Sequence, residues 1–255
     1  MIFKANNLYK YEIFGINVTF LNYEEILDAI FNSSLRTFTC VNQYYLNLAY
    51  EDQHYKLNLN DFDLIHPDGI GIILAKKIIY QDSIKLKRVT GSDLYFKIFE
   101  KSYIENKTHF LLGDSQEVID KAFKSIKTTY PQIKINGYHH GYIDLDDEKI
   151  IKIINDSNSF ILMVGLGVKR QEYWVSKWKN KLNVKKIIVV GGGFRVISND
   201  RLRGPLWVQK HGLEWFVRLL AEPKNNWERY LIGIPLFLIR VIKHRKIKNI
   251  SSGIK

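Results

Sequence analysis

Apolar residues recur along this chain in two rhythms. Short runs rich in Val, Ile, Phe and Tyr alternate with longer stretches whose apolar positions return every three or four residues, as strands alternate with amphipathic helices. The short runs predict strands at 16–20, 37–41, 63–65, 109–112, 133–136, 160–164 and 186–190. The first helix has the clearest start. Asn22 offers a cap, Glu25 stands three residues later as in a capping box, and Ile26, Ile30 and Phe31 share one face. Further helices are expected to begin near Asp68, Ser92, Gln116, Asp146 and Lys169. This order predicts an α/β fold over residues 1–195, a Rossmann-like, mainly parallel sheet with helices on both faces. After Gly193 the alternation stops. Residues 196–255 read as a helical C-terminal appendage carrying Trp207, Trp215, Phe216, Trp227 and Phe237, ending in a loose SSGIK tail.

Charge sharpens that division. The 255-residue chain has a formal charge of +12, and residues 201–255 hold twelve Lys and Arg against Glu214, Glu222 and Glu228. A charge so localised is a surface with an anionic target. The single cysteine, Cys40, excludes an internal disulfide and fits a reducing compartment. The N-terminal stretch lacks the apolar core of a secretory signal. The longest apolar run, 231–239, contains Pro235 and is far short of a bilayer span, although it can lie on a membrane. A cytoplasmic protein is expected.

In an open parallel sheet, ligands bind beyond the carboxyl ends of the strands. Four such places carry candidate chemistry. After the strand ending at Ile65, His66-Pro67-Asp68-Gly69 leads into a helix, so Asp68 reads either as an N-cap or as a general base at a pocket mouth. Gly165 and Gly167, in VGLGVKRQE, read either as a tight turn or as a diphosphate cradle at a helix start. The motif does not extend to GxGxxG, because Arg170 stands where the third glycine belongs. The Gly191-Gly192-Gly193 turn has the same two readings. Arg88, ahead of Thr90-Gly91-Ser92-Asp93, either meets a phosphate or is solvated.

Two DxD patterns are poor metal sites. Asp61-Phe62-Asp63 precedes its strand, at the wrong end of the sheet, and Asp144-Leu145-Asp146 suits a turn and cap. His139 and His140 should point apart on extended chain, without a third ligand at recognisable spacing. No metal site and no cofactor is expected.

PDGIGIILAKK, RVTGSDL, FLLGDSQ, ILMVGLGVKRQEYW, VVGGGF and LRGPLWVQKHGLEWFVRLLAEPKNNWERYL follow the order and rough spacing of the WecG/TagA/CpsF glycosyltransferase family, which this chain resembles over nearly its whole length. The resemblance implies inverting, metal-independent transfer of a sugar from a UDP-sugar donor to a polyprenyl-diphosphate-linked sugar acceptor. N-acetylmannosamine, its uronic acid and glucose are the candidate sugars, and the setting is bacterial cell-surface polysaccharide synthesis. The enzyme would be peripheral on the inner face of the plasma membrane, held to an anionic membrane surface by residues 196–255. A homo-oligomer is a further candidate partner.

The resemblance also assigns residues. Asp68 matches the candidate catalytic base. Asn42 matches the asparagine of a Thr-x-Asn pocket element whose threonine falls on Cys40, with Thr39 on the opposite face. Arg88 matches the arginine before the TG-x-DL turn, and Gln171 and Glu172 match a QE pair that resembles a donor-binding element. Gly165, Gly167 and Gly192 belong to the candidate substrate cradle. Arg203, Arg218 and Arg229 match arginines of the appendage, some reaching the leaving diphosphate. Arg195 departs from the family's usual Asp, Gly204 from the usual Ala, and Lys224-Asn225 from a basic pair. The appendage is expected to dock on the α/β domain only at a membrane or in an oligomer.

Two other classes are weighed. A basic nucleic-acid-binding protein would suit the charge, but no recognition-helix or RNP-like pattern is present, so nucleic acid is not expected. A non-catalytic UDP-sugar or lipid-binding module would keep the same motifs without turnover.

Overall fold

The computed structural model describes residues 9–81, 88–201 and 203–251; the SSGIK tail beyond Ser251 lies outside them. The described chain opens with an antiparallel hairpin, β1 (Tyr9–Ile13) and β2 (Ile16–Phe20). Phe14 and Gly15 turn it at φ 58° and 80°. Two successive positive φ values match the twist of the flanking strands. Only the second strand is legible in the sequence, because Phe-Gly lacks the Asn-Gly or Asp-Gly turn signature.

Helix α1 (Tyr23–Asn32) starts at the expected capping box: Asn22 accepts from Glu25 N at 3.1 Å and Glu25 from Asn22 N at 2.7 Å. There follow β3 (Thr37–Val41), α2 (Gln43–Glu51), α3 (Gln53–Asn60), β4 (Leu64–Pro67), α4 (Ile70–Tyr80), α5 (Gly91–Ile104) and β5 (Thr108–Gly113). Then come α6 (Gln116–Thr129), β6 (Lys134–His139), α7 (Lys149–Asp156), β7 (Ile161–Gly165), α8 (Arg170–Trp178) and β8 (Lys186–Val189). Six strands form one all-parallel sheet in the order β4-β3-β8-β7-β5-β6. The predicted strand at 16–20 is outside this sheet, in the hairpin beside β4. Helix α7 starts three residues later than expected. Asp144 accepts from Asp146 N and Asp147 from Lys149 N, so these carboxylates hold a loop rather than cap a helix.

Helices cover both faces. Residues of α2, α3, α4, α7 and α8 build one apolar core, and residues of α1, α5 and α6 build the other. The helix after β5 therefore packs on one face and the helix after β7 on the other, although the two strands are neighbours. A crevice opens beyond their carboxyl ends.

After β8 come α9 (Gly193–Ile197), α10 (Leu206–His211), α11 (Glu214–Ala221), α12 (Pro223–Trp227), a π-helical turn (Glu228–Ile232) and α13 (Gly233–Ser251). In the single chain α13 is already docked, contrary to the expectation that it needs a membrane or a second copy. Phe237 and Val241 are buried in the core shared with α2 and α4. Asn47 donates to the Gly233 carbonyl at 2.8 Å, and Arg240 donates to Asn47 and Glu51. Among the described residues no helix is long and apolar enough to cross a membrane.

Two histidines are buried in this core. His66 meets the Thr19 carbonyl through Nδ1, and His109, packed on Phe99, has neither ring nitrogen hydrogen-bonded. Burial pulls them down to about 4 and about 3. The unfolded chain takes up their protons below about 6.5, so each costs stability as pH falls from there toward its folded value. Relative to His109→Leu, wild type should lose about 1.4 kcal/mol per pH unit over that window. Urea unfolding of both proteins at pH 7.5 and pH 5 reads this directly, and a pH-independent difference would remove His109 as the cause.

Candidate active site

The crevice at the carboxyl ends of the strands contains a cavity of about 430 Å³. Each strand end contributes. Cys40 and Asn42 come from β3, Asp68 follows β4, Asp114 follows β5, Gly165 ends β7 and Gly192 follows β8. A second, adjoining cavity of about 230 Å³ is lined by Ile70, Leu74, Trp215, Ile234, Phe237 and Leu238, together with several polar groups. Asp68, Asn42, Ser92, Arg218 and Arg229 line both. Asp68 thus stands between a polar chamber and a more apolar one.

Asp68 is not the helix cap. Gly69, at φ 89°, takes the N-cap position of α4 and makes no side-chain cap bond. The Asp68 amide instead donates to Val41 O at 2.7 Å, tying it to the neighbouring strand end, and its Oδ1 accepts from Gly91 N at 3.1 Å. Among the described residues no other hydrogen bond engages the carboxylate. It is half-buried and partly free to face a ligand.

Cys40 lines the same wall. Burial, and then nearby Asp68, push its thiol up, so it stays protonated. Thr39 is buried away from the cavity with its hydroxyl unpartnered, as strand alternation requires. Asn42 caps α2 by accepting from Tyr44 N at 3.0 Å. Tyr45 and Tyr95 close the floor: Tyr45 accepts from Gln171 at 3.2 Å, and Tyr95 donates to Val190 O at 3.1 Å. Burial pushes both phenols up.

The Gly165–Lys169 turn is held from below. Gln171 and Glu172 are fully buried and do not line the cavity, unlike the expectation that they bind the donor. Glu172 accepts from Lys169 N at 2.8 Å and from Gln171 Nε2 at 2.7 Å, so the QE pair ties down from below a turn whose Lys169 sits at φ 70°. Gly167, at φ 86°, has open space where a side chain would project.

The walls are cationic. Arg170, Arg195, Arg201, Arg218 and Arg229 line the polar cavity against two carboxylates, Asp68 and Asp114. Arg195 holds Asp114 through two nitrogens at 2.9 and 3.3 Å, and that pairing raises its pKa. Arg229 lies over the Tyr44 ring at 4.6 Å. Arg218 reaches Glu214 at 3.5 Å. Arg88 lines the apolar chamber and donates to Gln209 O, whereas Arg203 sits behind both cavities on Asp93 and Glu214.

Of the twelve residues singled out in the sequence, eight thus line one cavity, Arg88 lines its neighbour, and Gln171, Glu172 and Arg203 support from behind. Tyr45, Tyr95, Asp114 and Arg201, which also line the polar cavity, are not picked out in the sequence reading, and Arg195 enters there only as a departure from the family's Asp. The rule of inspecting strand ends would have found Asp114.

Both DxD patterns lie elsewhere. Asp63 accepts from Arg36 N and Thr37 N at the amino end of β3, and Asp61 pairs with Lys179. The rings of His139 and His140 do not point apart as expected but lie 4.3 Å from each other, because β6 ends at His139. Among the described residues no group of three or more His, Cys, Asp or Glu is arranged to hold a metal ion.

With this geometry in place, comparison with known proteins is informative. The model of the glycosyl transferase WecG/TagA/CpsF family matches residues 11–251. Proteins of Staphylococcus aureus strains NCTC 8325 / PS 47, COL and MRSA252 are each 31% identical over 255 residues, covering 96% of this chain and 98% of theirs. All three are named N-acetylglucosaminyldiphosphoundecaprenol N-acetyl-beta-D-mannosaminyltransferase.

Burial pushes the Glu172 carboxyl up to about 7. The folded protein then keeps a proton that the unfolded chain releases above about 4.5, and Glu172 contributes less stability as pH rises from there through 7. Wild type should therefore lose about 1.4 kcal/mol per pH unit relative to Glu172→Gln across that window. Urea midpoints at pH 5 and pH 7.5 test it; a constant gap would show that Glu172 does not titrate there.

Proposed function

The chain belongs to the WecG/TagA/CpsF glycosyltransferase family, and from that premise we propose that it moves N-acetylmannosamine from a UDP donor to an N-acetylglucosamine carried on a polyprenyl diphosphate. The observation that carries the reading is the position of Asp68 between the glycine- and arginine-lined cavity and the apolar chamber. The first suits a nucleoside diphosphate sugar and the second the sugar end of a lipid-linked acceptor.

The reaction follows from that placement. Asp68 takes the proton of the acceptor hydroxyl as its oxygen attacks the anomeric carbon, and the bond from that carbon to the β-phosphate oxygen breaks. UDP leaves with the electron pair. Attack from the chamber opposite the departing diphosphate inverts the anomeric centre. The leaving negative charge is met by fixed guanidiniums and turn amides rather than by a metal ion, an arrangement that needs no reorganisation as charge develops.

Residues 1–195 act as the catalytic body and residues 196–255 as the membrane-associated appendage. Leu206, Trp207, Phe216 and Leu220 are exposed on α10 and α11, in a segment rich in Lys and Arg. Each basic residue near anionic lipid contributes about 1 kcal/mol, and the apolar side chains insert beside them. These side chains support the reading of an enzyme peripheral on the inner face of the plasma membrane, beside its lipid-linked acceptor.

Two measurements test the proposal. With UDP-N-acetylmannosamine and a lipid-diphosphate N-acetylglucosamine, Asp68→Asn should cut kcat by about 10²–10⁴ while UDP affinity is kept; normal turnover would remove Asp68 from the mechanism. Co-flotation with anionic vesicles should fall sharply when Trp207 and Leu220 are both replaced by Glu, and unchanged flotation would move the membrane contact elsewhere.

A further inference from the structure

We propose that Arg201 is a ligand of the donor's diphosphate, a binding residue that acts on the leaving group only. The inference rests on the reading that the polar cavity takes a nucleoside diphosphate sugar.

Arg195 is neutralised by Asp114 at 2.9 Å, Arg203 by Asp93 at 2.8 Å, and Arg218 reaches Glu214 at 3.5 Å. Arg201 differs. Its Nη1 reaches the Gly192 carbonyl at 3.4 Å, and among the described residues no carboxylate forms an ion pair with it. Burial, and then the guanidiniums of Arg218, Arg195 and Arg229, outweigh the opposite pull of Glu222 and lower Arg201 from the ordinary arginine range. Guanidiniums gathered in a partly buried wall repel one another until a polyanion fills the space between them. A diphosphate has that charge, and its oxygens match the fork of an arginine.

Gly192 was expected to bring backbone close to the phosphate. A Cβ built at Gly192 instead collides with Nη1 of Arg201. The missing side chain makes room for the guanidinium, which lies against the turn and faces the cavity. The loop is pinned as well, because Arg201 N donates to Arg195 O at 2.9 Å.

Arg201 lines the polar cavity and not the apolar chamber, whereas Arg218 and Arg229 line both. Those two can serve either diphosphate. Arg201 faces the donor side alone, where negative charge grows on the β-phosphate oxygen as the sugar departs.

Calorimetric titration of the full chain with UDP and with UMP tests this. Wild type should bind UDP more tightly than UMP. Arg201→Gln should weaken UDP by about ten- to a hundredfold and UMP far less, as expected for a lost charged hydrogen bond. Gly192→Ala, which displaces the guanidinium while keeping Arg201, should reproduce the loss, and Arg201→Lys should restore part of it. Acceptor KM should be unchanged in Arg201→Gln, and melting temperatures should match wild type. Wild-type UDP affinity in both Arg201→Gln and Gly192→Ala would overturn the proposal alone. Failure of wild type to bind UDP or any other nucleoside diphosphate would overturn the reading of the cavity on which it rests.

Discussion

One buried carboxylate fixes where the C-terminal segment sits on the sheet. Glu214, at the start of α11, is 7% exposed and faces Arg203 at 3.4 Å, Arg218 at 3.5 Å and Arg88 at 3.9 Å. Arg88 belongs to the α/β body, and Arg203 reaches back to Asp93 on α5. Ions out of water need partners, and breaking a buried pair from one side generally costs about 3–5 kcal/mol. The segment is therefore clamped over the strand ends, and Arg218 is held at the wall between the two cavities. Without that clamp the sheet would offer a crevice lacking most of its cationic lid.

The sheet supplies the other half of the site. Helices change faces between β5 and β7, so the strand ends and their glycine turns surround one hollow. Rigid backbone positions the proposed base, Asp68, through Val41 O and Gly91 N. Arginines then converge from the opposite side. In the proposed reaction, proton removal then falls to the body and charge neutralisation largely to the appendage, both on elements locked by packing.

Much of this was legible in the sequence where local chemistry decides structure. The capping box at Asn22 and Glu25, the glycine turns after β7 and β8, and the PDG after β4 each follow from backbone geometry that few residues satisfy. The hairpin strand β1 was not legible, because a Phe-Gly turn relies on tertiary packing of Phe14 against Tyr50 and Phe237 rather than on turn chemistry. Glu172 matches a donor-binding element by resemblance, and its position three residues after Lys169 also has the spacing of a residue that reaches back to a helix start. Arg201 was missed because a loop arginine reads as solvated until the fold sets it against Gly192. Residues whose role depends on which distant arginine has a partner have no local signature.

The central claim is a single displacement, with Asp68 activating the acceptor from one chamber while the diphosphate departs into the other. The anomeric configuration of the first-formed product, read by proton NMR before any equilibration, tests it most directly. A product with the configuration opposite to that of the donor is predicted. Retention would require two displacements through an enzyme-bound sugar, and would contradict the account.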